Sequence, residues 1–282
     1  LILVIGKRGE MTRRKLMLLA RRVVREALTK KYSELAIDFK QCQFGHLKIA
    51  PADLAELLAV NFIMAEFSFQ EFLTVPKEGF PKMKNIFLTG VESKEVKAGI
   101  ARGSIIGAEV NRSRHIATMP GGSMTPEILA RHARTSVRGL PVKVTVLGER
   151  EMTKLKMGGV LGVGQGSSAP SRFIVLEYFG TKKSEQPIVL VGKGVTFDTG
   201  GINLKPSDYV LGMNMDMSGG AAVIHALAAA ARLKLKKNIV VLVPAVENMM
   251  SGASYRPGDI LHSMSGKTIE VLNTDAEGRI IL

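Results

Sequence analysis

The 282-residue chain holds one cysteine, Cys42, and no tryptophan. A single thiol excludes an internal disulfide and any cysteine-based zinc site, and it fits a reducing, cytoplasmic compartment. The five histidines (His46, His115, His132, His225 and His262) are scattered, and none forms a His-Glu-x-x-His pair, which excludes that metalloprotease helix. There is no apolar run of 18 or more residues, so no membrane-crossing helix is expected. The apolar opening, residues 1–5, is too short for a signal peptide and has no basic segment before it; it reads as a strand. Leu stands first instead of Met, which implies that the natural N-terminus lies upstream.

Nucleotide motifs are also missing. Gly266-Lys267-Thr268 ends like a phosphate-binding loop, but Leu261 stands where the earlier glycine is required, and Gly192-Lys193 is followed by Gly194. Gly162-Val163-Gly164-Gln165-Gly166 begins like a dinucleotide turn, yet the next required glycine falls on Ser167.

What is present is enough apolar sequence (46%) to build a globular chain of two domains. The formal charge is +14, concentrated at Arg13, Arg14, Lys15, Arg21, Arg22, Arg25 and Lys30-Lys31. Such a surface either is simply solvated or binds nucleic acid through phosphate contacts. Aromatic residues do not interleave with these cations, so stacking on bases has no support.

Short apolar runs alternate with amphipathic patterns throughout. Residues 35–39 and 85–88 read as strands; residues 12–28, 51–60 and 94–110 read as helices, the first with an apolar stripe at Leu16, Leu19, Val23 and Ala27. Ser93 and Thr125 are expected N-caps, and Pro126 a first helical residue. The breaker cluster at residues 118–126 places a domain boundary near residue 110. Beyond it, strands are predicted at 141–147, 173–178, 188–191, 238–243 and 268–272, with helices at 149–156 and 221–233. Alternation of this kind implies α/β layers with a mixed, largely parallel sheet in the second domain.

Three segments carry chemistry. Asn273-Thr274-Asp275-Ala276-Glu277-Gly278-Arg279 follows the last predicted strand. If the backbone stays extended, Asp275, Glu277 and Arg279 face one cleft, and two acids on one face call for a divalent cation. The glycine-rich segment 192–206 follows the strand 188–191 and brings Lys193, Asp198 and Lys205 to the sheet edge where α/β proteins bind ligands. Asp216 lies among methionines just before the Ala-rich helix, where it either meets a helix dipole or joins the other acids. His225, in an apolar helix, reads as packing, and Asn248-Met249-Met250 as core and turn.

These motifs, in this order and spacing, resemble those of the leucyl (cytosol) aminopeptidase family over residues 111–282, and only diffusely before that. The resemblance implies a smaller N-terminal α/β (macro-like) domain over 1–110 and an α/β/α catalytic domain over 111–282, incomplete at its C-terminal end. It implies release of N-terminal amino acids, Leu and other apolar residues preferred, from peptides with a free N-terminus. Two divalent ions, zinc or manganese, would be held by Lys193, Asp198, Asp216, Asp275 and Glu277, with Asp198 and Glu277 bridging. Lys205 would stabilise the oxyanion and Arg279 would hold a bicarbonate ion as general base. Asp216 would receive the substrate amine, Met213 would line the side-chain pocket and Asn273 would contact substrate. Thr199 replaces the serine more usual in the family, with little effect expected. The family forms hexamers and continues well past its signature, so this chain by itself is expected to be poorly active and prone to aggregate. A DNA-binding protein that retains the fold is the alternative reading.

Overall fold

In the computed structural model, residues 6–91 and 93–282 are described. The strand expected at residues 1–5 lies outside them. The chain divides into two units, Leu1–Asn111 and Arg112–Leu282.

The first unit is built from α1 (Arg13–Thr29), β1 (Glu34–Asp38), α2 (Pro51–Ala65), β2 (Asn85–Thr89) and the start of α3 (Lys94–Thr118). β1 and β2 pair in parallel, Ala36 opposite Phe87. Thr12 caps α1 by accepting from Lys15 N. The buried face of α1 is Leu16, Ala20, Val24 and Ala27, while Leu19 and Val23 are half-buried flanks. The core therefore follows the i+4 ridge on the side of the small alanines, which lets α2 approach closely with Leu54, Ala55, Leu58 and Phe62. Ser93 Oγ accepts from Glu95 N at 3.2 Å, as its capping role requires. α3 runs eight residues beyond its predicted end, through the point where the two units divide.

The second unit continues with α4 (Pro126–Ser136), β3 (Val142–Leu147), α5 (Glu149–Lys154), α6 (Gly158–Gly164), β4 (Arg172–Phe179), β5 (Ile188–Val191), β6 (Gly194–Asp198), α7 (Ser207–Val210), α8 (Ser218–Arg232), β7 (Asn238–Asn248), β8 (Ile260–His262), β9 (Thr268–Glu270) and α9 (Glu277–Ile281). Thr125 caps α4 through Ile128 N, with Pro126 at its first turn.

The sheet is mixed, but its longest ladders are antiparallel: β3 against β4 and β4 against β7. β5 and β6 then pair in parallel with successive halves of β7. The sequence pattern overstated the parallel share. α5 and α6 have six and seven residues. Neither is long enough to return the chain along a whole strand, as a parallel crossover requires.

One sheet face buries Ile174, Leu176, Val241, Val243 and Ala245 with Leu129 and Ala133 of α4 and Ile224 and Leu227 of α8. The other face buries Val195 and Val246 with Met152, Val160, Tyr255 and Ile281.

The glycines at 158–164, which the sequence excludes as a dinucleotide turn, form a helix. A Cβ at Gly162 would lie 2.7 Å from Leu261 Cδ2 and one at Gly164 2.0 Å from Ser171 Oγ, so these glycines serve close packing. One expectation fails here: residues 268–272 do not form a buried strand of the main sheet, because β9 forms a separate, largely exposed antiparallel hairpin with β8. Gly266, at φ +81°, supplies the local turn that pairs these strands with each other.

Candidate metal centre

The parallel edge of β7 organises the site. β5 and β6 follow one another along it, and the chain breaks at Gly192 and Lys193. Gly192 N still donates to Leu242 O at 2.9 Å. A Cβ on Gly192 would sit 2.6 Å from Gly219 O, so glycine is what lets the N-terminus of α8 come this close. Lys193 O accepts from Gly220 N at 2.7 Å, which pins the lysine backbone to that helix end. Its Nζ lies 2.7 Å from Asp216 Oδ2 and 2.6 Å from Glu277 Oε1. Asp216 sits in a 3-10 turn, Met213–Met217, that enters α8, and Glu277 opens α9.

Asp198 ends β6, and its side chain is buried. Oδ1 accepts from Gly200 N (2.9 Å) and from Asn248 Nδ2 (2.8 Å). Oδ2 meets Lys205 Nζ at 2.9 Å, and the same ammonium contacts Asp275 Oδ1. The loop that carries Lys205 is folded back on Thr199, whose carbonyl accepts from Lys205 N at 2.9 Å. The Thr199 hydroxyl donates to Asn248 O (2.9 Å) and accepts from Gly201 N (3.2 Å), work that a serine hydroxyl performs equally.

A second set of polar residues joins this loop to the signature. Thr274 N donates to Asn203 Oδ1 and Asn203 N donates to Thr274 Oγ1, both at 2.9 Å. Thr274 Oγ1 also donates to Gly200 O at 2.6 Å. Thr274 O accepts from Asn248 Nδ2 (2.9 Å) and from the Tyr255 hydroxyl (2.6 Å). Asn203, Asn248, Tyr255 and Thr274 had not been assigned to the site. Position is the sequence signal for three of them: Asn203 and Thr274 lie inside the segments 192–206 and 273–279, and Asn248 ends the central strand, next to the end of β6.

The signature is not extended. Asn273 caps a 3-10 turn, Thr274–Ala276, by accepting from Asp275 N at 2.8 Å, and α9 follows at once. Helical residues two apart point about 200° away from each other. Glu277 is accordingly 1% exposed while Arg279 lies in solvent, with no hydrogen bond or ion pair among the described residues. The strand argument therefore fails for Arg279, although Asp275 and Glu277 still converge through the turn. Met213 begins the turn that holds Asp216 and is half-buried; Asn273 is exposed.

The electrostatics are those of cations trapped between acids. Burial pulls the Lys193 ammonium down, but Asp216 and Glu277 outweigh it and hold its pKa above the ordinary lysine value. Lys205 likewise loses by burial and gains more from Asp275 and Asp198, which hold it well above the usual range. Burial raises the carboxyls of Asp216 and Glu277, against the opposing pull of Lys193. Tyr255 is pushed up by burial and then by Glu277, Asp198 and Asp275, so its hydroxyl stays a donor.

The donor set fits a hard divalent cation. Ligand oxygens of Asp198, Asp275 and Glu277 lie within 4.8 Å of one another. Glu277 Oε2 is buried without a hydrogen-bond partner among the described residues, an expensive arrangement that a cation would relieve. The two lysine ammoniums stand where positive charge is needed.

The sequence profile of the cytosol aminopeptidase family, catalytic domain, matches residues 111–282. The chain belongs to the cytosol aminopeptidase family. Its relatives include a probable cytosol aminopeptidase of Syntrophotalea carbinolica, 45% identical over 84% of this chain and 49% of that protein. One from Bacillus subtilis is 39% identical over 83% of this chain and 47% of its own length. The chain thus spans about half the length of the curated relatives it matches. Among solved structures, the bottromycin maturation enzyme BotP in complex with Mn superposes with a TM-score of 0.86 at 28% identity, over 98% of this chain and 57% of that one. The cytosol aminopeptidase from Coxiella burnetii gives 0.72 at 27% identity, over 81% of this chain and 47% of that one.

Proposed function

We propose that this chain carries the metal-binding active site of an aminopeptidase that removes N-terminal amino acids, apolar ones such as Leu preferred, from peptides. The observation that carries this is the convergence of Lys193, Asp198, Asp216, Asp275 and Glu277 from three separate segments of the chain on one small volume. These five would hold two divalent ions, zinc or manganese. Bound there, such ions lower the pKa of water toward neutrality and polarise a carbonyl.

The residues divide the remaining work. Asp216 offers a carboxylate to the free α-amine of the substrate, which makes cleavage depend on an unblocked N-terminus. Lys205, held protonated, turns from Asp198 and Asp275 toward the oxyanion and stabilises its charge. Arg279 offers a solvent-facing guanidinium to a bicarbonate ion, the general base in this reading. Met213 presents a flexible thioether suited to an apolar side chain. Asn273 already spends its Oδ1 on Asp275 N, so its contact with substrate would come from Nδ2. A cytoplasmic hexamer is the assembly in which we place this activity.

The nucleic-acid reading has nothing specific in its favour. The basic cluster lies largely on the outer face of α1, with Arg13, Arg14, Lys15, Arg22 and Arg25 exposed, and Arg22 reaches Glu26 one turn on. That is a solvated amphipathic helix.

Calorimetric titration of the metal-free chain with Mn²⁺ tests the reading. Two equivalents should bind, and Asp198→Asn should weaken both; absence of saturable binding would overturn it. The exopeptidase part is tested by comparing leucinamide with N-acetyl-leucinamide. Equal hydrolysis of the two would exclude a role for the free amine.

A further inference from the structure

The loop 199–205 carries Lys205 to the acids, yet its own apolar side chains do not hold it there. Ile202 and Leu204 lie in solvent, at 41% and 52% exposure, so burial of apolar surface does not fix the path of the loop. Gly200 and Gly201, at φ +89° and +65°, give it a backbone that other residues would strain. Lys205 N donates to Thr199 O at 2.9 Å and closes the loop at its neck. Between these ends, Asn203 and the Gly200 carbonyl are both held by Thr274.

Thr274 is fully buried and uses every polar atom it has. Its N–H donates to Asn203 Oδ1 while its Oγ1 accepts from Asn203 N, a reciprocal pair. The hydroxyl proton goes to Gly200 O at 2.6 Å. A Cβ on Gly201 would stand 2.9 Å from that hydroxyl oxygen, so glycine is what permits the approach. On the other side, Thr274 O accepts from Asn248 Nδ2 and from the Tyr255 hydroxyl. The N–H of the same peptide group, that of Asp275, donates to Asn273 Oδ1. The peptide plane that aims Asp275 is therefore gripped from both edges. None of these bonds of Thr274 is to the Lys205 ammonium or to the side chain of a proposed metal ligand; it acts on them through the backbone that it holds.

We propose that Thr274 is a positioning residue: its hydroxyl and backbone fix the Lys205 loop and the Asp275 turn against each other, and so set where the Lys205 ammonium stands. This rests on the reading of Lys205 and Asp275 as parts of the active site.

Amide hydrogen exchange of the metal-free chain, read by NMR, tests it with Thr274→Val, which keeps the shape and removes the hydroxyl. Lys205 N and Gly201 N bond to Thr199 and not to Thr274, so they report the path of the loop and not the lost bond itself. Both should exchange about tenfold faster or more, since Gly200 O and Asn203 N lose their partner. Leu176 and Val241, paired at the centre of the sheet, should exchange as in the parent. Thr274→Ser keeps the hydroxyl and should keep exchange slow. Asn203→Ala, at an exposed position, should also speed exchange at Gly201 and Lys205, and it alone decides if Thr274→Val does not fold. Calorimetry with Mn²⁺ reads the Asp275 side. Affinity should fall by about tenfold in Thr274→Val and return in Thr274→Ser, a response that a purely structural residue would not give while the sheet amides are unchanged. A parent chain that binds no Mn²⁺ would sink the metal reading, and exchange would still decide whether Thr274 sets the loop. The proposal is overturned if Gly201 and Lys205 exchange as slowly in the folded variants as in the parent, or if exchange rises while Mn²⁺ affinity stays that of the parent.

Discussion

Asn248 donates its side-chain amide to Asp198 Oδ1 at 2.8 Å, and the same nitrogen reaches Thr274 O at 2.9 Å. One buried amide thus links the acid at the end of β6 to the turn that presents Asp275. Asn248→Leu would leave the Asp198 carboxylate with one fewer donor and place an isobutyl group beside it. We expect a loss of about 2–3 kcal/mol in stability and weaker Mn²⁺ binding than the parent. Urea unfolding followed by circular dichroism measures the first. An unchanged midpoint would show that the link carries no load.

Metal binding should be proton-coupled. Lys193 is charged in the metal-free protein, its pKa raised above the ordinary value by Asp216 and Glu277 against the effect of burial. Only a neutral amine can donate to a metal, so loading must expel that proton. Affinity for Mn²⁺ therefore rises with pH, by up to about tenfold per unit when one proton is displaced. The raised carboxyls of Asp216 and Glu277 add to the same trend at the acid end, because they too must be deprotonated to bind. Calorimetry in buffers of differing ionisation enthalpy counts the protons released. Lys193→Met should remove one of them, and an unchanged count would exclude Lys193 as a ligand.

Much of this was legible in the sequence because the relevant chemistry is local. Thr125 and Pro126 mark a helix start by their own hydrogen bonding and fixed φ, and Asp198 follows a strand that periodicity alone detects. Thr274, Asn203 and Asn248 were not legible. Their bonds join positions 19 to 74 residues apart, and nothing in a threonine or an asparagine announces such a partner. The signature itself misled in one respect. Alternate charged residues imply a shared face only in extended backbone, and the Asn273 cap turns that backbone helical. β9 failed for a related reason, since a short apolar run pairs as readily with a local hairpin partner as with a distant sheet.

Two glycines next to Lys193 should respond in opposite ways to a methyl group. At Gly192 the added Cβ would meet backbone, Gly219 O at 2.6 Å and Gly220 Cα at 2.8 Å. Backbone must move, and Gly192→Ala should cost about 2–3 kcal/mol, as overpacking does. At Gly278 the nearest atoms are Lys193 Cε at 3.1 Å and Nζ at 3.2 Å, the far end of a flexible chain. Gly278→Ala should change stability by less than about 1 kcal/mol, since alanine also favours the helix. Its effect should appear in the metal titration, where a displaced amine weakens binding. If Gly192→Ala proved as stable as the parent, the close approach of α8 to the strand break would be wrong.

Arg279 supplies the cleanest separation of stability from chemistry. Its guanidinium is solvent-exposed and makes no hydrogen bond or ion pair among the described residues, so nothing in the fold depends on it. Arg279→Ala should leave the unfolding midpoint within about 0.5 kcal/mol of the parent and the Mn²⁺ stoichiometry unchanged. If the arginine holds an anionic base, turnover of leucinamide should nonetheless fall, and added bicarbonate should no longer stimulate it. Arg279→Lys tests the geometry: a point charge lacks the two-pronged match to a planar oxyanion, so rescue should be partial. Turnover that survives Arg279→Ala undiminished would remove the residue from the mechanism and leave proton transfer to another group. In that case the two carboxyls raised by burial, Asp216 and Glu277, become the first to test.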